Sequence, residues 1–365
     1  MTNTGYPGIM FSFEFATEPS VNQDIELLCI IDDFGTSWQD RAEGGGVKRF
    51  PTIKQAINSG DFKNGAKGLP RLELFAQLFG RKLPVILADL TGVDGDTSTE
   101  TFNSARFAEC LEKLERYNFS VLAIPDKMAP TDHNVLKVFY DEQVSKMNLF
   151  GVICQIENAS ELMSLKSKFP KGGILKATLT PQKFVDGIEL SLEDTVIYEA
   201  GITISNKPNI SETWTSRDGV VGELTPDILS KPDFDIMQNN GGVIIDIIDG
   251  NNEIVGNVNS NTPAGKDIKI IRSINNFFNT FRTILNTKYG SDNDPPNLID
   301  IISLVKQLRE KKIKENIVAD ARVETEKATE NEDGEPVTNQ INATAVLDIY
   351  DIIFKFDVTG LVNVI

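Results

Sequence analysis

The hydrophobic and polar positions of this chain alternate most cleanly at its two ends. Near the start, Ile9, Phe11, Phe13 and Phe15 alternate with Met10, Ser12 and Glu14; near the end, Ile352, Phe354, Phe356 and Val358 alternate with Ile353, Lys355, Asp357 and Thr359. Strand side chains point to opposite faces with period two, so each stretch presents one apolar and one mixed face. Neither stretch has an evident partner of its own. A terminal strand with an apolar face needs a sheet to join, and a sheet in a neighbouring subunit would make the chain a building block.

Between the ends, apolar runs and helical stripes alternate. Ile25 to Ile31, Val85 to Leu90, Val121 to Ile124, Val152 to Ile156 and Ile174 to Ala177 read as buried strands. Helices are expected from Pro51 to Ala56, from Leu69 to Phe79, along the stripe Phe107, Leu111, Leu114 and Tyr117, around Val135, Val138, Phe139 and Met147, and from Glu161 to Lys168. Strand, helix, strand at this spacing implies a parallel sheet with helices on its faces. Residues 180 to 265 are less periodic. There Thr195 to Ile204 and Gly242 to Ile248 read as strands, the latter pairing with Glu253 to Val258 across Asp249-Gly250.

From Asp267 the character changes. Ile270, Ile271, Ile274, Phe277, Phe278, Phe281, Ile284 and Leu285 form the strongest amphipathic helix, and a second uses Leu298, Ile301, Ile302, Val305 and Leu308. A strand with a charged face follows from Ile317 to Thr325, and another from Thr344 to Tyr350. The expected class is therefore α/β: a parallel-sheet domain plus an α+β C-terminal domain, with a β-strand at each end of the chain.

Composition narrows the chemistry. The 365 residues carry a formal net charge of −17, which disfavours nucleic acid and anionic membrane as primary ligands. No apolar run is long enough to span a bilayer, and no secretory signal is visible. Cys29, Cys110 and Cys154 lie far apart in apolar surroundings and read as buried, reduced thiols. The single histidine, His133, reads as a surface or helix-capping residue. It leaves no His-rich metal site, and no G-x-S-x-G elbow supplies a serine nucleophile.

Strand-end aspartates are the main candidates for chemistry. Asp32 and Asp33, Asp89 and Asp126 each follow an expected strand, where paired carboxylates could hold Mg²⁺; Asp94 to Thr97 adds an acidic loop. Asp also ends strands for conformational reasons alone. Gly44 to Gly46 precedes Val47-Lys48-Arg49 but matches no phosphate-binding pattern and reads as a surface loop. Lys306, Arg309, Lys311, Lys312 and Lys314 form a basic cluster on an acidic chain. They either offset a helix macrodipole or dock an acidic partner.

The order of these features resembles the tail sheath subunit of a contractile phage tail or related contractile injection particle. The resemblance rests on Gly5-Tyr6-Pro7-Gly8-Ile9 as an arm entry and on Phe107 to Asp126 as a helix and strand ending in Pro-Asp. It also rests on Asp267 to Ile274, with Arg272 at a recurring arginine, and on the last strands with their apolar tail. It implies an N-terminal linking arm at 1–20, an outer α/β domain at 21–265, an inner C-terminal domain at 266–351 and a C-terminal arm at 352–365. Ile9, Phe11, Phe13, Phe15, Phe354, Phe356 and Val358 would link subunits, and Lys306, Arg309, Lys312 and Lys314 would face the tube.

By the same resemblance the chain polymerises helically around a tail tube protein and contracts to drive the tube through a target envelope. Its partners would be many copies of itself, the tube, and baseplate and tail terminator proteins, with no nucleic acid and no membrane insertion. It would need no cofactor and perform no catalysis. It would assemble in the host cytoplasm and reside in the tail or particle. Two alternatives stay open: a cytoplasmic Mg²⁺-dependent α/β hydrolase using the strand-end aspartates, and a ring-forming tail adaptor.

Overall fold

The computed structural model describes residues 27–35, 46–63, 65–91, 102–146, 148–169, 173–179, 190–210, 212, 215–216, 229–248, 253–257, 268–289, 298–318, 320–327, 341–349 and 352–360. The expected N-terminal arm with Ile9, Phe11, Phe13 and Phe15, the acidic loop at 94–97 and the tail from Leu361 lie outside the described residues. The chain forms two compact units. One covers Ile25–Asp141 and Phe150–Arg272, the other Glu142–Leu149 and Ser273–Ile365.

The first unit is built on a six-stranded sheet of β1 (Leu28–Asp32), β2 (Val47–Phe50), β3 (Val85–Asp89), β4 (Val121–Ile124), β5 (Gly151–Gln155) and β6 (Ile174–Thr178). The spatial order is β2-β3-β1-β4-β5-β6; every pairing is parallel except that of β2 with β3. β1, β3, β4, β5 and β6 are buried along their whole length. Burial on both faces explains why these strands read as continuous apolar runs rather than as alternation. β2 was not anticipated: Val47 to Phe50 is too short and too basic to stand out, yet it closes one edge of the sheet.

Helices α1 (Ile53–Ile57), α2 (Gly68–Phe79), α3 (Ser104–Leu114), α4 (Pro130–Ser145) and α5 (Ala159–Lys168) form where the stripes place them. The Thr52 hydroxyl caps α1 by accepting from Gln55 N, and the Asn103 and Asn158 side chains cap α3 and α5 in the same way. In α4 the stripe is rotated from the expected one. Val138 is 59% exposed, while Leu136, Phe139 and Tyr140 are buried. Phe139 and Tyr140 pack on Phe150, with ring centroids 5.7 and 5.4 Å apart.

The segment read as a strand from Thr195 to Ile204 is instead a helix, α6 (Leu192–Ser205). Its β-branched residues suit a strand, but Ser191 and Asp194 form a reciprocal capping box that starts a helix. The helix is apolar nearly all round because it is buried, packing on β4, β5, β6 and α2. Gly201 permits the α2 contact: a Cβ there would lie 2.1 Å from the Phe79 ring. A further helix, α7 (Lys231–Asn239), starts at the Ser230 cap with Pro232 in its first turn. A small sheet of order β7-β9-β8 is formed by β7 (Thr215–Ser216), β8 (Ile244–Ile248) and β9 (Glu253–Asn257). β8 and β9 form the expected antiparallel pair.

α8 (Ile268–Tyr289) begins in the first unit and continues into the second. The second unit adds α9 (Leu298–Lys314), β10 (Asp320–Lys327), β11 (Ile341–Ile349) and β12 (Ile352–Gly360). The three strands form an antiparallel sheet of order β10-β11-β12. α9 ends through Asn316, whose φ of 58° turns the chain and lets Ile317 N donate to Lys312 O at 2.9 Å.

Candidate functional site

Three places in the described structure concentrate charge or unsatisfied edge. The first is the C-terminal end of the parallel sheet. Asp32 and Asp89 end β1 and β3 as register partners, and Asp126 stands two residues beyond β4. β1 lies between β3 and β4, where the chain reverses its direction of travel across the sheet. Ligands of open α/β sheets gather at such a point.

Here, however, the carboxylates meet partners from within the chain. Asp89 Oδ1 accepts from Phe34 N at 2.9 Å, Thr91 N at 3.0 Å and the Thr91 hydroxyl at 2.6 Å. Asp32 Oδ1 accepts from Asp33 N at 2.8 Å and from Arg71 Nη1 at 2.7 Å. Arg71 Nη1 also donates to Asp126 Oδ1 at 3.0 Å, and its Nε lies 3.7 Å from Asp194 Oδ1. A guanidinium thus sits among the carboxylates that the hydrolase reading assigned to Mg²⁺. Among the described residues no group of three or more His, Cys, Asp or Glu could hold a metal ion.

Burial pushes the Asp32 carboxyl up to about 7, with Asp126 adding to the rise and Arg71 opposing it. Asp33 is raised chiefly by burial. Burial works against the Arg71 charge, but Asp32 and Asp126 together hold the guanidinium above its usual range.

The second place is a fully buried ion cluster. Lys176 on β6 donates to Glu199 Oε2 of α6 at 2.8 Å and pairs with Glu212; Arg272 in the first turns of α8 pairs with Glu212 Oε1 at 3.0 Å. Arg272 Nη2 also donates to Asn206 O at 2.6 Å. Two cations meet two carboxylates, which is the condition for burying charge at tolerable cost. Arg71, Lys176, Glu199 and Glu212 all escaped the sequence reading. The available signal was a lone charge inside an apolar run, as in Ile174-Leu175-Lys176-Ala177 and Ile197-Tyr198-Glu199-Ala200.

The third place is the end of α9 with the C-terminal strand. Lys306, Arg309 and Lys314 are exposed as the sequence reading expected, but Lys312 is buried. It lies one turn beyond buried Leu308, on the same face, and donates to Asn276 Oδ1 at 2.7 Å. Its charge therefore does not face outward, which corrects its place in the basic surface.

For the C-terminal stretch with Phe354, Phe356 and Val358, the reading that it lacks a partner of its own is corrected. It has a partner within the chain, since β12 pairs with β11 from Ile349↔Ile352 to Ile341↔Gly360. A two-residue connection, Tyr350-Asp351, carries no glycine turn signal, so the hairpin was not legible. Among the described residues β12 is an edge strand of its sheet.

The other singled-out residues have structural settings. His133 is buried near Glu161, with Nε2 3.6 Å from Oε1, rather than on the surface; burial lowers its affinity for a proton. All three cysteines are buried and unbridged. Burial pushes Cys110 and Cys154 each up to about 12, removing thiolate character. No helix among the described residues is long and apolar enough to cross a membrane.

No protein-family model matches the sequence, and no curated protein matches it. Solved structures do match in fold. The sheath tail protein of Desulfitobacterium hafniense superposes with a TM-score of 0.60 at 11% identity, over 96% of this chain and 100% of that one. The sheath tail protein of Listeria innocua gives 0.61 at 11% identity, over 92% and 95% of the two chains. The sheath of the extracellular contractile injection system PVC, in its contracted state, gives 0.56 at 11% identity over 98% of each. Across nearly its whole length, this chain has the fold of contractile-sheath proteins.

Proposed function

We propose that this chain is a structural subunit of a contractile sheath, resident in a phage tail or a related contractile particle. The observation that carries the reading is the fold shared end to end with three sheath proteins, without a large domain left over on either side. Two features agree with it. The carboxylates at the sheet end are engaged by Arg71 and by backbone donors rather than arranged around an open metal position. Among the described residues the sheet β10-β11-β12 ends in an edge strand to which a neighbour's strand can add.

In this reading many copies polymerise helically around a tail tube. The N-terminal segment with Ile9, Phe11, Phe13 and Phe15 adds to a neighbour's sheet beside β12, so that main-chain hydrogen bonds tie subunits into a mesh. Lys306, Arg309 and Lys314 face an acidic tube. Exposed ion pairs contribute only about 0–1 kcal/mol each, which holds the tube yet releases it when the sheath shortens. Contraction follows from two packings of the same rigid units, the extended one metastable. Baseplate and tail terminator proteins cap the two ends, and the work is mechanical rather than catalytic.

Negative-stain microscopy of the purified chain, alone and co-expressed with its tube protein, tests the reading. Helical tubes or tube-bound sheaths are expected. A protein that stays monomeric under both conditions overturns it, and closed rings would favour an adaptor.

A further inference from the structure

Asp32 differs from the carboxylates around it. It has no exposed surface, and its Oδ2 has no hydrogen-bond partner among the described residues. Its neighbour Asp89 is equally buried, but three donors converge on Asp89 Oδ1. Around Asp32 the charges do not balance. One guanidinium, Arg71 of α2, is shared by Asp32 at the end of β1, Asp126 after β4 and Asp194 in the first turn of α6. Asp33, next in the chain, adds a further carboxylate whose Oδ1 competes with Asp89 for the one proton of the Thr91 hydroxyl. Asp126 and Asp194 keep 19% and 25% of their side-chain surface in water, whereas Asp32 keeps none. The surplus negative charge is least tolerable where solvent cannot reach it, which is on the unpartnered oxygen.

We propose that Asp32 is a proton-binding site of the native fold, and that the proton on Oδ2 governs how Arg71 divides itself among three carboxylates. With Asp32 neutral, the guanidinium serves Asp126 and Asp194 and so clamps α2 to the β4 end and to the start of α6. With Asp32 ionised, it is drawn towards the buried carboxylate and the clamp loosens. The proposal does not depend on the sheath reading.

The direction of the titration agrees with this geometry. Burial raises Asp32 from an ordinary 3.8 to about 7. Between those values the folded chain holds a proton that the unfolded chain has lost. Stability from this group therefore falls as pH rises from about 4 to about 7 and levels off above.

The test compares thermal unfolding of the full chain with that of Asp32→Asn, from about pH 5 to about pH 8. Asn cannot ionise, so the variant should gain on the wild type as pH rises to about 7 and hold that gain above. Carboxyl ¹³C resonances of the aspartate-labelled wild type supply an independent reading should Asp32→Asn fold poorly. One aspartate should titrate near neutrality, and its midpoint should move lower in Asp126→Asn, where a like charge is gone. A Tm difference that is constant across the window, or a wild type in which every aspartate titrates in the ordinary carboxylate range, overturns the proposal.

Discussion

At the scale of single residues, the ion cluster on β6 and α6 shows buried charge answered by charge. Lys176, Glu199, Glu212 and Arg272 have essentially no exposure, and Glu212 is the group that joins the two cations. Glu212→Ala should destabilise the chain by about 3–5 kcal/mol, because it removes a partner from two buried cations at once. Urea unfolding checks this, and a loss below about 1 kcal/mol would mean that water or another group takes the carboxylate's place. Residue identity was the least legible level of the sequence. The strand-end aspartates could be named because Asp after an apolar run is a local signal. Arg71, which engages Asp32 and Asp126, is separated from them by long stretches of chain, and only folding brings the three together. Lys312 shows the same limit, since a basic run gives no sign of which lysine one face of α9 will bury.

At the scale of elements, the strands of the parallel sheet were legible because each is a short apolar run buried on both faces. α6 was not, because its residues carry a strand's propensities while its ends carry a helix's signals. The capping box outweighed the β-branched run once the segment was buried against β4, β5 and β6. Ser191→Ala should therefore cost about 1 kcal/mol and lower the Tm without changing the fold. Circular dichroism and a thermal scan check both parts, and an unchanged Tm would show that burial alone holds the helix. β12 fails in the opposite way. Its alternation was read correctly but its partner was not, since Tyr350-Asp351 looks unlike a hairpin turn.

At the scale of the whole molecule, the self-pairing of β12 changes what a truncation reports. Removing residues 352–365 takes one of three strands from a sheet, so it should impair folding of the second unit as well as assembly. Reversing the exposed charges at Lys306, Arg309 and Lys314 is the cleaner probe of tube contact. The triple variant should stay folded and lose tube-bound sheaths, with the wild-type contact weakening as salt rises. Normal sheaths on the tube from that variant would remove these residues from the contact.

The central position of β1 has a consequence for how the chain comes into being. β1 is synthesised before every other strand of its sheet, yet Leu28 must wait for Val85 on one side and Val121 on the other. Until the ribosome has passed both, its Leu-Cys-Ile-Ile run is unshielded on the nascent chain, and no hairpin can hide it meanwhile. On the proposed sheath role, which calls for many copies, many such runs would be in waiting at once. The rate of translation between β1 and β4, and the chaperones at hand, then bear on yield as much as the stability of the finished subunit does.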